Sequence, residues 1–514
     1  MLFYTKIAKI VQIRWNANNY LEIPSALLTF VALTKKKEYM KALSLLGMAA
    51  WLCTTALQAQ PAQVATLTTT ANRQMDLTSG TANFGTSATA TGTLTLNTAV
   101  RYQTIDGFGA AVTGSTAYNL SLMPAEARHR FLEETFSPNN YGFGYVRISI
   151  GCSDFSLSEY TLCDEPGLEH FALTIEETKY VIPALKEILE INPALKIMGS
   201  PWTCPKWMKV KSLEEPVPFD SWTSGQLNPA YYQDYAAYFV KWIEAMQAAG
   251  IPIYSITLQN EPLNKGNSAS LFMTWQEQQR FVMEALGPAL KQAALNVKVY
   301  AFDHNYNYDD MPDQQQYPLH IYEDAEAARY FAGAAYHNYG GRPTELLRIQ
   351  QEAPDKELLF TEASIGTWNK GRDLEVALLR DVRELGLATV NGWCRGAIVW
   401  NLMLDNDRGP HRGQGACATC YGAVDVDNTN YTDITRNSHY YAMAHMAAAA
   451  RPGAVRINST TTAEQLTQAA FVNPDGTLAL VVCNEGESRT LNVSDGTHTF
   501  TAEIPARSVV SYRW

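Results

Sequence analysis

The sequence predicts an α/β protein, a (β/α)8 TIM barrel carrying a side β-sandwich, on three observations. Eight short apolar, strand-like runs recur between about residues 103 and 402. Helical stretches separate them. Outside this block the apolar residues alternate at period two, as they do in half-buried strands.

The elements follow in chain order. Residues 1–59 read as a leader with a signal peptide: Lys35–Lys37 and Lys41, then the apolar run Ala42 to Cys53, then small residues to Ala59. The run is too short to span a membrane permanently. Met40 opens the pattern cleanly, so residues 1–39 read as a mis-assigned start. Cys53 raises a lipid anchor, but Trp51-Leu52 before it matches the required small residues poorly. Residues 60–100 are Thr/Ala/Gly-rich and read as a tether followed by an N-terminal strand of the sandwich, with Gly92-Thr-Leu-Thr-Leu-Asn97 in alternation.

Residues 101–450 form the barrel block. Its strands are expected at 103–110, 143–150, 195–201, 252–260, 297–303, 332–337, 357–363 and 395–402. Helices at 175–190, 229–249, 274–294 and 372–388 supply crossovers. Residues 451–514 return to period two, with Asp475-Gly476 and Asp495-Gly496 as hairpin turns, and are expected to complete the sandwich. No internal repeat appears, and no apolar run after the leader is long enough to cross a membrane.

The chain's 514 residues, 46% hydrophobic, suffice for a large core. The formal charge of −11 includes the basic leader, and the remainder carries about −16. That balance argues against nucleic acid or an anionic membrane and is compatible with a neutral polysaccharide. A monomer is expected. Seven cysteines lie beyond the leader: Cys152, Cys163, Cys204, Cys394, Cys417, Cys420 and Cys483. Cys417-Ala-Thr-Cys420 can be a loop disulfide, a redox pair or half a zinc site, and the second pair that zinc would need is missing. No metal or other cofactor is expected.

The chemistry sits at strand ends. Ile253 to Pro262 is an apolar run ending in Gln259-Asn260-Glu261-Pro262, and Glu357 to Glu362 repeats the design about a hundred residues on. Pro262 cannot join a ladder and keeps Glu261 out of a continuing helix. Either glutamate alone reads more readily as a solvated residue at a strand end. Two of them at the carboxyl ends of two barrel strands form the pair that glycosidic-bond cleavage needs, one as proton donor and one as nucleophile or base. Arg147, Asp154, Trp202, Asn260, His337, Tyr339, Trp400 and Asn401 also fall at or just past strand ends. Serine-elbow, zincin and P-loop signatures are missing, and Gly107-Phe-Gly109 lacks the third glycine of a dinucleotide fingerprint.

Several segments together resemble a known family. They are Asp106-Gly-Phe-Gly-Ala-Ala, Arg147-Ile-Ser-Ile-Gly-Cys-Ser-Asp154, Ser200-Pro-Trp202-Thr-Cys-Pro-Lys-Trp207, Gln259-Asn-Glu-Pro262, Trp400-Asn-Leu-Met-Leu-Asp405 and Arg451-Pro-Gly-Ala-Val-Arg456. In unchanged order these resemble glycoside hydrolase family 30, which holds acid β-glucosidases (glucosylceramidases) and endo-β-1,6-glucanases. The resemblance implies a retaining double displacement with Glu261 as acid/base and Glu362 as nucleophile. It further implies that Asn260 holds the 2-hydroxyl, that Arg147 and Tyr339 hold Glu362, and that Asp154, Trp202, Trp400 and Asn401 line the glucosyl pocket with His337 at its wall. His337 reads as readily as a satisfied core histidine; for Arg147 a structural ion pair inside the barrel is the lesser reading.

The polar segment from Asp405 to Tyr421 departs from the glucosylceramidase type. Asp405, Arg408, His411, Arg412 and Gln414 are expected to meet sugar hydroxyls there, and the chain looks closest to the endo-β-1,6-glucanase branch. The expected protein is thus an exported β-1,6-glucanase acting on a neutral β-glucan. The alternatives are an exo-β-glucosidase or glucosylceramidase-like enzyme and an inactive glycan-binding protein.

Overall fold

Apolar runs spaced by amphipathic helices build a parallel sheet covered on both faces, and the eight parallel strands here achieve this by closing into a barrel. They are β1 (Gly107–Ala110), β2 (Tyr145–Ser149), β3 (Lys196–Ser200), β4 (Ser255–Thr257), β5 (Lys298–Asn305), β6 (Gly333–His337), β7 (Glu357–Glu362) and β8 (Cys394–Val399). The computed structural model describes residues 63–514 apart from 268, 307–310 and 413–414. The leader, Cys53 and Gln414 therefore lie outside the described residues.

The ladder runs β1-β8-β7-β6-β5-β4-β3-β2. Closure comes from Gly144 N donating to Phe108 O at 2.9 Å and Val112 N to Arg147 O at 2.9 Å. Tyr145, Met198, Tyr300, Ala335, Leu359 and Ile398 fill the interior. At the amino-terminal end the charges pair. Asp106 accepts from Lys196 at 2.5 Å and Arg395 at 3.0 Å, and Glu357 from Lys298 at 2.7 Å and Tyr300 at 2.6 Å. Charge pairing at this end serves the barrel; the reactive groups belong at the other.

The expected tether is instead ordered sheet from residue 64. Val64–Thr70, Thr78–Ala82 and the 13-residue strand Gly92–Thr104 join six C-terminal strands in one nine-stranded sheet. Val64–Thr70 pairs antiparallel with Ser508–Arg513. Threonine-rich text reads as polar linker, yet threonine is β-branched and favours strands, and Thr68, Thr69 and Thr70 are buried. The sheet curls until its ends meet at a Phe84–Phe500 bridge.

Period-two alternation divides the strands Leu466–Val472 and Leu478–Asn484 between two cores. Ala470, Leu480 and Val482 face the sandwich interior with Leu94 and Phe500. Ala469, Phe471, Ala479, Val481 and Cys483 face the barrel. The helix Ser438–Ala449, buried almost throughout, mediates the contact. His445 spans it, with Nδ1 2.9 Å from Ser511 Oγ and Nε2 2.9 Å from Thr69 Oγ1. No helix among the described residues is long and apolar enough to cross a membrane.

Barrel closure leaves no room for side chains where strands β1 and β2 meet. A Cβ on Gly109 would lie 2.1 Å from Tyr145 O. Gly109→Ala should therefore lose about 1–3 kcal/mol of stability, read as a lowered denaturant midpoint at unchanged m-value.

Candidate active site

A fully buried cation organises the carboxyl end of the barrel. Arg147, on β2, donates through Nη1 to Glu362 Oε2 at 2.5 Å, through Nη2 to Asn260 Oδ1 and Asp303 Oδ2 at 2.8 Å each, and through Nε to Ser200 Oγ at 3.1 Å. Its guanidinium also lies 4.8 Å from the Trp202 ring and 5.5 Å from that of Trp400. Asp303 completes the arrangement from β5. It accepts from Thr257 and Thr361 at 2.7 Å each, and its Oδ1 lies 3.1 Å from His337 Nε2. Its backbone oxygen receives Glu261 N at 2.9 Å.

Chain direction is forced at these strand ends. Glu261, Asp303 and Asn401 have φ of 46°, 67° and 58°, in the left-handed region that side chains rarely adopt. Glu261 is thus left-handed rather than extended before Pro262. β4 is only three residues long, and Asn260 N leaves its ladder to donate to Pro201 O at 2.7 Å.

The expected residues take distinct positions. Asp154, Trp202, Glu261, Tyr339, Glu362 and Trp400 line one cavity of about 420 Å³. Arg147, Asn260 and His337 lie behind this lining. Asn401 is set back further, with Oδ1 accepting from Thr113 Oγ1 at 2.8 Å. One carboxylate oxygen of Glu261, one of Glu362 and a ring nitrogen of His337 all lie within 4.8 Å of one another. Tyr339 Oη donates to Glu362 Oε1 at 3.0 Å. The Trp202 and Trp400 rings stack on each other at 5.0 Å, so part of the aromatic surface expected for a sugar is used internally.

Sequence reasoning overlooked Asp303, although it ends an apolar strand as Glu261 and Glu362 do. It also overlooked Asn264 and Asn267, whose amides each donate to Glu261 Oε2 at 2.8 Å. Their signal was proximity to Glu261 in a loop. The Asp405–Tyr421 segment differs from its expected use. Asp405 accepts from Gly409 N at 2.7 Å and Arg408 donates to Ala418 O at 2.9 Å, so both side chains hold the loop itself. From that segment, Cys417 and Cys420 line the cavity, and they form a disulfide. The other five cysteines beyond the leader are buried free thiols.

Comparison with known proteins decides the family. The profile of the glycosyl hydrolase family 30 TIM-barrel domain matches residues 105–449, and that of the family's beta sandwich domain matches 453–512. The chain belongs to glycosyl hydrolase family 30. A solved structure described as an endo-β1,6-glucanase is similar at 61% identity and a TM-score of 0.86, over 88% of this chain and 99% of that one. The endo-1,6-beta-D-glucanase BGN16.3 of Trichoderma harzianum is 30% identical over 80% of this chain and 84% of its own. The lysosomal acid glucosylceramidase of Mus musculus is 27% identical over 83% and 85%.

The electrostatics of this family 30 site centre on His337. Burial alone would drive its proton off, but the charges of Glu362 and Asp303 and its contacts with Asp303 and Glu261 raise its pKa to about 9. As an imidazolium it has no lone pair for a metal, so Glu261, His337 and Glu362 fit a cation poorly despite their spacing. Burial pushes Glu261 up, yet His337, His304 and Asn264 bring it to about 2. Burial and the charge of Glu261 push Glu362 upward against His337 and Arg147. Asp154 rises to about 7, through burial and the charge of Glu362.

The unliganded ordering of the two glutamates is thus the reverse of what a proton donor at Glu261 requires. Three donors, Asn264, Asn267 and His337, hold its carboxylate form. Replacing Asn264 and Asn267 together by alanine should raise the Glu261 pKa and, because Glu261 is the lower-titrating of the two glutamates, move the acidic limb of the kcat/KM profile to higher pH. Unmoved limbs in a folded variant would refute this control.

His337 also links stability to pH. Its folded pKa lies above the ordinary value, so its contribution is fully present below about pH 6.5 and is lost as pH rises through about 9. His337→Gln should accordingly flatten the fall in denaturation midpoint between pH 6.5 and 9 relative to the parent protein.

Proposed function

We propose that this glycoside hydrolase cleaves β-1,6-glucan internally and with retention of configuration, Glu362 acting as nucleophile and Glu261 as acid/base. The observation that carries the mechanism is the approach of their carboxylate oxygens to within 4.8 Å. Retaining enzymes hold the two carboxyls about 5–5.5 Å apart, too close for an intervening water, whereas inverting ones need roughly 6.5–9.5 Å. The 61% identity to a structure described as an endo-β1,6-glucanase supports the choice of polymer.

The roles follow from the contacts. Arg147 and Tyr339 aim the two oxygens of Glu362, and the guanidinium keeps attack by its charged form accessible. Arg147 occupies the carbonyl oxygen of Asn260, which turns its amide nitrogen toward a sugar 2-hydroxyl. Asp154 Oδ1 is buried without a partner, so a sugar hydroxyl at the cavity floor satisfies it. As the glycosidic oxygen arrives at Glu261 it replaces an amide donor there, and the protonated form gains. Once Glu362 is esterified its charge is gone, repulsion ceases, and Glu261 is suited to act as base toward water. The leader supports export of the enzyme to its polymer.

Glu362→Ala should abolish turnover, and azide should restore it with formation of the α-glycosyl azide. Glu261→Ala should retain rapid glycosylation only with good leaving groups. β-1,6-Glucan digested by the parent enzyme should yield oligosaccharides early. Monosaccharide alone from the start would replace this reading with an exo-acting glucosidase, and an inverted first anomer would exclude double displacement.

A further inference from the structure

Trp368 is not used by the chemistry described above, yet it lines the same cavity as Glu261 and Glu362. It follows β7 and is 54% exposed, unusual for the largest apolar side chain in a loop that is otherwise well anchored. The anchoring has several parts. Ile365–Gly366 pairs antiparallel with Cys420–Tyr421, and Thr367 N donates to Thr419 O at 3.0 Å. Gly366 N donates to Asn369 Oδ1, also at 3.0 Å. The Cys417–Cys420 disulfide closes the opposing turn.

Gly366 sets where the indole lies. A Cβ there would stand 1.9 Å from a ring carbon of Trp368 and 2.4 Å from Thr419 O, so the ring rests directly on the backbone of the short ladder. The outer part of the indole remains open. Around it the cavity offers polar side chains, Asn264, Asn267, Asn305 and Ser364, suited to sugar hydroxyls.

We propose that Trp368 is the stacking platform for a second glucosyl unit, adjacent to the scissile bond and outside the pocket for the first. This rests on the β-glucan reading above. Pyranose rings present an apolar face of C–H groups that an indole covers, while their hydroxyls reach outward to polar neighbours. A β-1,6 linkage passes through an exocyclic carbon and has one more free torsion than other glucosidic links. A ring held by ladder, glycine and disulfide supplies orientation without ordering cost of its own. The loop after β8 thus contributes to substrate choice through its disulfide turn, which positions Trp368.

The test compares β-1,6-linked glucose oligosaccharides with β-glucosyl fluoride, whose leaving group carries no sugar. In Trp368→Ala the ratio of kcat/KM for oligosaccharide to that for the fluoride should fall about 10-fold or more. Trp368→Phe should fall less, and Gly366→Ala, which displaces the ring, should follow Trp368→Ala. Thermal denaturation checks that each variant is folded. An unchanged ratio in folded Trp368→Ala overturns the platform while leaving the glucanase reading intact. Failure of the parent enzyme on every β-1,6-linked oligosaccharide, with the fluoride cleaved, overturns that reading and the platform with it.

Discussion

The buried guanidinium of Arg147 is the constraint on which the catalytic end of this barrel depends. A charge with no exposure is tolerable only if its donors are matched, and four acceptors drawn from β3, β4, β5 and β7 or their ends meet it. Two of these acceptors are ionised. Asp303 and Glu362 supply the countercharge, and Asp303 is shared with His337, which becomes positive in turn. The result is an alternating array of charges whose members hold one another in place. Removing any one leaves a buried charge uncompensated, so structure and reactivity cannot be separated here.

The barrel makes that array possible because it brings the ends of parallel strands to one rim. Left-handed backbone at Glu261, Asp303 and Asn401 turns the chain where each strand stops. Such conformations persist only when surrounding contacts determine them. Glu261 illustrates this: its amide is held by Asp303 O and its carboxylate by two asparagine amides and His337. The opposite rim is paired for stability, with Asp106 and Glu357 each meeting basic partners. The curled nine-stranded sheet packs its outer face on the barrel helices and leaves the reactive rim free.

Much of this was legible from residues alone. Each of the eight expected strand runs overlaps a barrel strand, because a parallel strand buried on both faces must be a continuous apolar run. The N-terminal strands were harder to read. Buried Thr69 meets His445, 376 residues away, and no local pattern records that. The loop after β8 misled for a related reason. Its charged residues look available in sequence, but Asp405 and Arg408 are spent on the loop's own backbone.

The sequence by itself determined the alternation of strand and helix, the two glutamates at strand ends and the family motifs, because each depends on neighbours within about ten residues. Only the tertiary structure decided which charges meet. Asp303 becomes central because Arg147, 156 positions earlier, crosses the barrel to reach it. Asn264 and Asn267 matter because a left-handed turn folds their loop back onto Glu261. The stacking of Trp202 on Trp400, the single disulfide among the seven described cysteines and the open face of Trp368 likewise arise from distances across the barrel mouth. Burial and charge act through space, and a linear pattern carries them only where chain neighbours are also spatial neighbours.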